Sequence, residues 1–242
     1  MPRHGFGSLL TDEQWSELVS TAHRRSYGAG EALLNQGAHG LGVHLVLSGR
    51  VRVVSLYPDG TSAPLAYRTR GEILGESVLA GGGRACNATV TALAESRTVY
   101  LSAERFQTRL RELDLVSVLW QSVLNRQDES DQVRVQLARL PAERRLPAAL
   151  VHLAAMLGEP APAALTDGPE RPGPGRILRI PLPQEEVGGF TGLSRTSVYK
   201  AYNQLRELGL IRTGRQFVAV VDLDRLEALA FGEDRGPGAV RH

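Results

Sequence analysis

The side chains with most chemistry to offer lie between Gln184 and Arg215. If the segment after Ser194 is helical, Arg195, Thr196, Tyr199, Lys200 and Asn203 share one face. They are cationic or hydrogen-bonding groups of the kind that reach phosphates and base edges in a major groove. Val198, Ala201 or Tyr202, Leu205 and Leu208 recur on the other face as an inward stripe. Ser194 suits the N-cap, because its hydroxyl can accept from backbone N–H groups of the first turn. Upstream, Pro183 fits the opening turn of a shorter helix, Gln184 to Phe190 can form two turns, and Gly192 relieves a bend. The pattern predicts a helix-turn-helix; spacing alone is also compatible with an amphipathic helical hairpin whose outer face is merely solvated.

The neighbouring sequence favours the first reading. Arg212-Thr213-Gly214-Arg215 leads into the β-rich run from Gln216 to Val221, predicting a two-stranded hairpin with Gly214 at its tip, the wing of a winged helix-turn-helix. From Thr191 to Gln216 the cations are Arg195, Lys200, Arg206, Arg212 and Arg215 against the single anion Glu207. The whole chain carries a formal charge of only +2, so the case for nucleic acid rests on this clustering.

Those residues need a scaffold. Thr11 followed by Asp12 and Glu13 predicts a capped helix with Trp15, Leu18 and Val19 on one face. From Tyr27 to Val99 the period shortens to strands, among them Val43–Leu47, Arg50–Val54, Leu65–Tyr67, Ala88–Ala92 and Thr98–Leu101, with turns at Ser48-Gly49 and Pro58-Asp59-Gly60. Such spacing predicts an antiparallel barrel or roll. His44 lies within one strand and reads as structural.

Ser102 can cap a helix from Ala103 to Leu110, and a long helix follows from about Asp114 to Leu140. Leu113, Val116, Trp120 and Val123 form an apolar seam that continues through Gln127, Ser130 and Arg134 to Leu137, predicting a two-fold dimer helix with a polar middle. Pro141 ends it, and Glu143 to Leu157 form another helix. Gly158 to Arg176 holds five prolines and predicts an irregular loop, Ile177–Ile180 a strand, and Asp222–Ala230 a closing helix. Gly232 to His242 reads as a frayed tail.

The chain has 242 residues, 42% of them hydrophobic and 22% charged, enough for two globular parts. No apolar run approaches the ~20 residues that span a bilayer. The start lacks the apolar core of a signal peptide, which predicts a cytoplasmic protein. Cys86 is the only cysteine, so no iron–sulfur cluster held by four cysteines of one chain is expected. No P-loop, Rossmann fingerprint, nucleophile elbow or metal-ligand spacing occurs, so no enzyme activity is expected.

The order of roll, long helix and winged helix-turn-helix resembles the Crp/Fnr family of bacterial transcription regulators. Leu45–Val53 with Pro58-Asp59-Gly60, Gly71-Glu72 and Gly75-Glu76 looks like the family's cyclic-nucleotide-binding roll. Gln184–Val187, Gly192–Val198 and Gly209-Leu210-Ile211 look like its DNA-binding signature. The resemblance implies an α+β fold with a sensor roll over residues 1–112, a dimerisation helix over 113–140 and a DNA-binding domain over 141–242. It implies a homodimeric, sequence-specific DNA-binding regulator acting on double-stranded operator DNA, with RNA polymerase as a partner if it activates, no membrane partner, and a small effector in the roll. A reading of another class makes the roll a cyclic-nucleotide-responsive module of a partner enzyme that binds no DNA.

By position the resemblance assigns principal base and phosphate contacts to Arg195, Thr196 and Lys200, with Gln184 and Ser197 near the backbone; Ser194, Tyr199, Arg212 and Arg215 join the expected DNA-contacting set from the helix start, its outer face and the basic wing. Thr196 stands where many relatives carry a glutamate that accepts from cytosine, so the preferred operator should differ. In the roll it assigns Gly75, Glu76, Arg84, Ala85, Asp131 and Gln132 to an effector. The cyclic-nucleotide motif is incomplete: aligned on the strand, Cys86 and Asn87 replace an arginine and a hydroxyl residue, and aligned on Arg84, Ala85 replaces the hydroxyl. The effector therefore stays open between a cyclic nucleotide, another small molecule or haem, and none.

Overall fold

A computed structural model describes residues 2–58, 62–80, 85–166, 175–179, 184–214 and 216–232. The chain forms two compact units, Met1–Asp131 and Gln132–His242.

The first unit begins with a short 3-10 turn and α1 (Asp12–Ser20), where Thr11 builds a full capping box. Its hydroxyl accepts from Gln14 N–H at 3.1 Å, and the Gln14 side chain accepts from Thr11 N–H at 3.0 Å. Eight strands follow: β1 (His23–Tyr27), β2 (Ala32–Leu34), β3 (Gly42–Ser48), β4 (Arg50–Leu56), β5 (Ser62–Thr69), β6 (Ile73–Leu74), β7 (Thr89–Ala92) and β8 (Ser96–Ser102). They make two antiparallel four-stranded sheets, ordered β1-β8-β3-β6 and β2-β7-β4-β5. α2 (Ala103–Glu112), capped by Ser102, and the start of α3 (Val116–Arg139) complete this unit.

Strand period places the core. Val43 and Leu45 of β3, with Val99 and Leu101 of β8, pack with Phe6, Leu18, Phe106 and Leu110 on one face of the first sheet. Val46 points the other way and joins Val51, Leu74, Val90 and Ala92 inside the roll. His44 shares that inner direction. Its Nδ1 lies 3.1 Å from Thr98 Oγ1, and its ring meets Tyr27 and Tyr100 at 6.0 and 5.1 Å, so it is a satisfied core histidine.

The second unit holds the end of α3, then α4 (Ala142–Leu157), β9 (Glu159–Pro160), α5 (Ala163–Thr166), β10 (Arg176–Leu178), α6 (Gln184–Thr191), α7 (Arg195–Glu207), β11 (Ile211–Gly214), β12 (Phe217–Val220) and α8 (Leu223–Phe231). Asp222 caps α8 by accepting from Arg225 N–H. Leu137, Ala148, Ala149 and Ala230 form a buried cluster with Phe190 and Phe231 against it.

Several expectations are corrected. The wing is no isolated hairpin: β11 and β12 belong to a four-stranded sheet ordered β11-β12-β10-β9. Gly158–Arg176 is not wholly irregular, since β9 and α5 lie in it and β9 pairs with β10. Gly214 is the last residue of β11, paired with Phe217, rather than the tip. Leu208 leaves the inward stripe because α7 ends at Glu207; Leu208 is 46% exposed and Leu210 is buried instead. The long helix begins at Val116, because Asp114 adopts φ +52° and interrupts the helical path. Ile180, Pro183, Asp59-Gly60 and the tail from 233 lie outside the described residues.

Candidate nucleic-acid interface

One close approach and one left-handed backbone position set the angle between α6 and α7. A Cβ on Gly188 would lie 2.8 Å from Leu193 O, and Gly192 adopts φ +68°, a conformation that glycine reaches without strain. The Thr191 hydroxyl donates back to Val187 O at 2.7 Å, closing the last turn of α6. Ser194 then caps α7: its Oγ accepts from Ser197 N–H at 3.2 Å and lies 2.9 Å from Ser197 Oγ.

Burial sorts the two faces of α7. Val198, Tyr202 and Leu205 are buried. Arg195, Thr196, Tyr199 and Lys200 are exposed, Tyr199 by 52%, and Ser194 is exposed at the helix start. Four of the expected DNA-contacting side chains thus lie together on one exposed surface. Ser197 is half-buried within the cap, and Gln184, also half-buried, opens α6. Positive charge at the exposed N-terminal end of α7 adds to the local field that an anionic backbone meets.

Among the described residues, the cations at the end of α7 and on the wing have partners within the protein. Arg206, in the last turn of α7, donates to Asn203 Oδ1 and, at 3.3 Å, to Thr213 Oγ1 on β11. Arg212 is exposed on β11, but its guanidinium donates to Ala164 O at 2.9 Å, so it also fastens α5 to the sheet. Arg215 lies outside the described residues. Elsewhere in this unit His152 stacks on Phe190 with ring centroids 6.3 Å apart, and burial lowers its pKa below the ordinary histidine value.

In the roll, Gly75 closes β6 with φ +81°, and Glu76 opens a 3-10 turn (Glu76–Ala80). Glu76 is already engaged: Arg126 of α3 donates to its carboxylate and also, at 3.3 Å, to Ile73 O. A second pair lies beside it. Arg68 Nε is 3.8 Å from Glu72 Oε2, and these side chains are only 17% and 13% exposed. Burial raises the Glu72 pKa, an effect that Arg68 and then Arg126 oppose; burial likewise lowers that of Arg68, chiefly against Glu72. Sequence reading quoted Glu72 only within the roll motif and passed over Arg68 and Arg126; the i,i+4 spacing of Arg68 and Glu72, on strand and turn rather than helix, was the one local signal of their pairing.

The remaining effector candidates have the following local settings. Ala85 is exposed and bridges His39 across a two-stranded contact, and Asp131 accepts from Gln127 Nε2 at 2.9 Å on the surface of α3. Gln132 is exposed on α3 in the second unit, and Arg84 lies outside the described residues. Among the described residues no group of three or more histidine, cysteine, aspartate or glutamate side chains could hold a metal ion, and no helix is long and apolar enough to cross a membrane. Along α3 the first unit leaves Val116, Trp120 and Leu124 exposed by 41, 50 and 63%.

A β-roll unit followed by a winged helix-turn-helix is an architecture of DNA-binding regulators, and comparison with known proteins agrees. Residues 24–112 match the cyclic nucleotide-binding domain, and residues 144–229 match the Crp-like helix-turn-helix domain. The chain is 28% identical to the cyclic AMP receptor protein of Thermus thermophilus over 224 residues, covering 92% of this chain and 95% of that one. It is 24% identical to a probable transcriptional activator of Rhizobium leguminosarum bv. viciae, covering 94% and 90%. A solved Crp/Fnr-family transcriptional regulator, also from Thermus thermophilus, superposes with a TM-score of 0.68 at 24% identity, covering 88% of this chain and all of that one. The chain belongs to the Crp/Fnr family and is a DNA-binding transcription regulator.

Proposed function

We propose that this regulator acts as a homodimer whose two α7 helices enter successive major grooves of an operator, with Arg195, Thr196, Tyr199 and Lys200 turned to base edges and phosphates. The observation that carries the reading is the sorting of α7: its apolar stripe is buried while these four side chains share an exposed face beyond a serine cap. Ser194, Ser197 and Gln184 lie nearer the backbone of the duplex. Arg212 reaches phosphate only by sharing or leaving its bond to Ala164 O. Two copies pair along α3, where Val116, Trp120, Leu124 and Val135 are large apolar side chains left exposed. Groove-to-groove spacing is then roughly 34 Å, one turn of B-DNA.

The test is an operator selected from random DNA with the full-length protein, followed by titration of Arg195→Ala. Specific affinity should fall about tenfold or more while melting is unchanged; unchanged affinity removes Arg195 from the reading role. Thr196→Glu should shift the selected sequence towards cytosine at the position it faces.

The roll's input is proposed to be something other than a tightly held cyclic nucleotide. Glu76 is already paired with Arg126, so a ligand using Glu76 must break or share that pair. Calorimetric titration with cyclic AMP and cyclic GMP should show no high-affinity site, and tight binding of either returns Arg84 to the phosphate. With no transmembrane helix among the described residues, the compartment proposed is the cytoplasm, where operator DNA lies.

A further inference from the structure

The end of α7 holds an arrangement that the reading of its first two turns does not use. Asn203 lies on the same outer side as Tyr199 and Lys200, one turn further along. Arg206, three residues on, donates through one guanidinium nitrogen to Asn203 Oδ1 and through another to Thr213 Oγ1 on β11. The planar fork of an arginine can hold two acceptors in fixed directions, which an ammonium cannot do. Two consequences follow. The amide oxygen of Asn203 faces Arg206, so its Nδ2 hydrogens, which have no partner among the described residues, point away. The wing strand is also tied to the reading helix across the turn at Gly209, where φ is +68°.

We infer that Arg206 is a positioning residue for DNA binding: it orients Asn203 as an outward donor to a backbone phosphate and fixes the wing against α7. This rests on the reading that the outer face of α7 meets DNA. An asparagine reading adenine uses its oxygen and its nitrogen together. Here the oxygen is turned to Arg206, which leaves a donor, and phosphate oxygens accept from donors regardless of sequence. Asn203 therefore adds affinity without adding specificity, and Arg206 adds it through Asn203 and Thr213 rather than by neutralising a phosphate itself.

The salt dependence separates these roles. A cation that neutralises a phosphate contributes about −0.9 to the slope of log affinity against log salt. The full-length protein is titrated with its selected operator and with sheared genomic DNA at several salt concentrations. Asn203→Ala should weaken both by a similar factor, about three- to tenfold, with the slope unchanged. Asn203→Asp keeps an acceptor for Arg206 but loses the donor and meets phosphate with a negative charge, so it should bind more weakly than Asn203→Ala. Arg206→Met should weaken binding with the slope unchanged, Arg206→Lys should fail to restore it, and Asn203→Ala should cost little more in the Arg206→Met background. Melting of each variant near that of the parent assigns these losses to binding.

The inference is overturned if Arg206→Met lowers the slope by about one unit and Arg206→Lys restores it, since Arg206 then touches phosphate directly. It is also overturned if Asn203→Ala weakens only the operator, because Asn203 then reads a base, or if neither variant changes affinity. The DNA reading fails separately: in that case the parent protein retains neither DNA at low salt, whatever the variants do.

Discussion

The two ends of this chain use arginine in opposite ways. On α7 the cations face outward: Arg195 and Lys200 are exposed, and an external anion is the partner their position suits. In the roll they face inward: Arg68 is paired with Glu72 and Arg126 with Glu76, all within one unit. The first arrangement stores charge for a ligand, whereas the second uses it up against the protein's own carboxylates. An exposed cation contributes little to folding and much to binding, because its desolvation happens only when a partner arrives. A buried one must be satisfied before the fold closes, and removing one partner strands the other.

The largest effect should come from breaking the inward pairing. Arg68→Met leaves the Glu72 carboxylate buried without a cation and should cost about 3 kcal/mol of folding stability at pH 7.5, measured by urea denaturation. Burial already raises the pKa of Glu72, so its ionised form opposes folding, and the loss should shrink as pH falls and the carboxyl takes up a proton. Adding Glu72→Leu to Arg68→Met should recover most of the loss. If Arg68→Met leaves stability intact, the charges of the roll are not committed to each other and the contrast with α7 collapses.

The complementary variant acts on the outward end. Arg195→Ala should leave urea denaturation unchanged and cost about 1–3 kcal/mol of operator affinity, read by titration at fixed salt. A stability loss above ~1 kcal/mol for Arg195→Ala would mean that this cation, too, serves the fold.

The contrast also explains what could be read from residue order. The helix-turn-helix is local: Ser194 caps three residues ahead, and Val198, Tyr202 and Leu205 recur at helical spacing, so the sequence alone pointed to one buried face. Ser102 and Thr11 announced their helices in the same way. The inward pairing is not local. Arg126 meets Glu76 across 50 positions, and only the packing of α3 on the roll brings them together. β1 escaped notice because four of its five residues are exposed, which leaves an edge strand without alternation. β2 and β6, three and two residues long, are too short to show a period. Leu208 misled because it fits the helical stripe, and nothing in the spacing said that the helix would stop one residue earlier.

The smallest effect concerns two histidines, His44 buried in the roll and His152 half-buried in the second unit, which test whether protonation distinguishes the units. His44 in the roll is buried beside Thr98, and burial, with Arg25 adding to it, lowers its pKa to about 4. His152 in the second unit is lowered by burial alone. In each case the unfolded chain takes up the proton first, near the ordinary value of about 6.5. Stability is therefore full above that value and is lost as pH falls towards the folded pKa. For His44 the loss should be roughly 1 kcal/mol by pH 5.5. His44→Gln keeps a polar atom near Thr98 but cannot take up a proton in this range, so it should flatten that part of the profile between pH 7.5 and 5.5. His152→Phe should flatten the remainder while leaving the contribution of His44 in place, because the two side chains belong to different units and their effects should add. A profile that His44→Gln leaves unchanged would mean that the roll is protonated elsewhere first, with Glu72 the next group to examine.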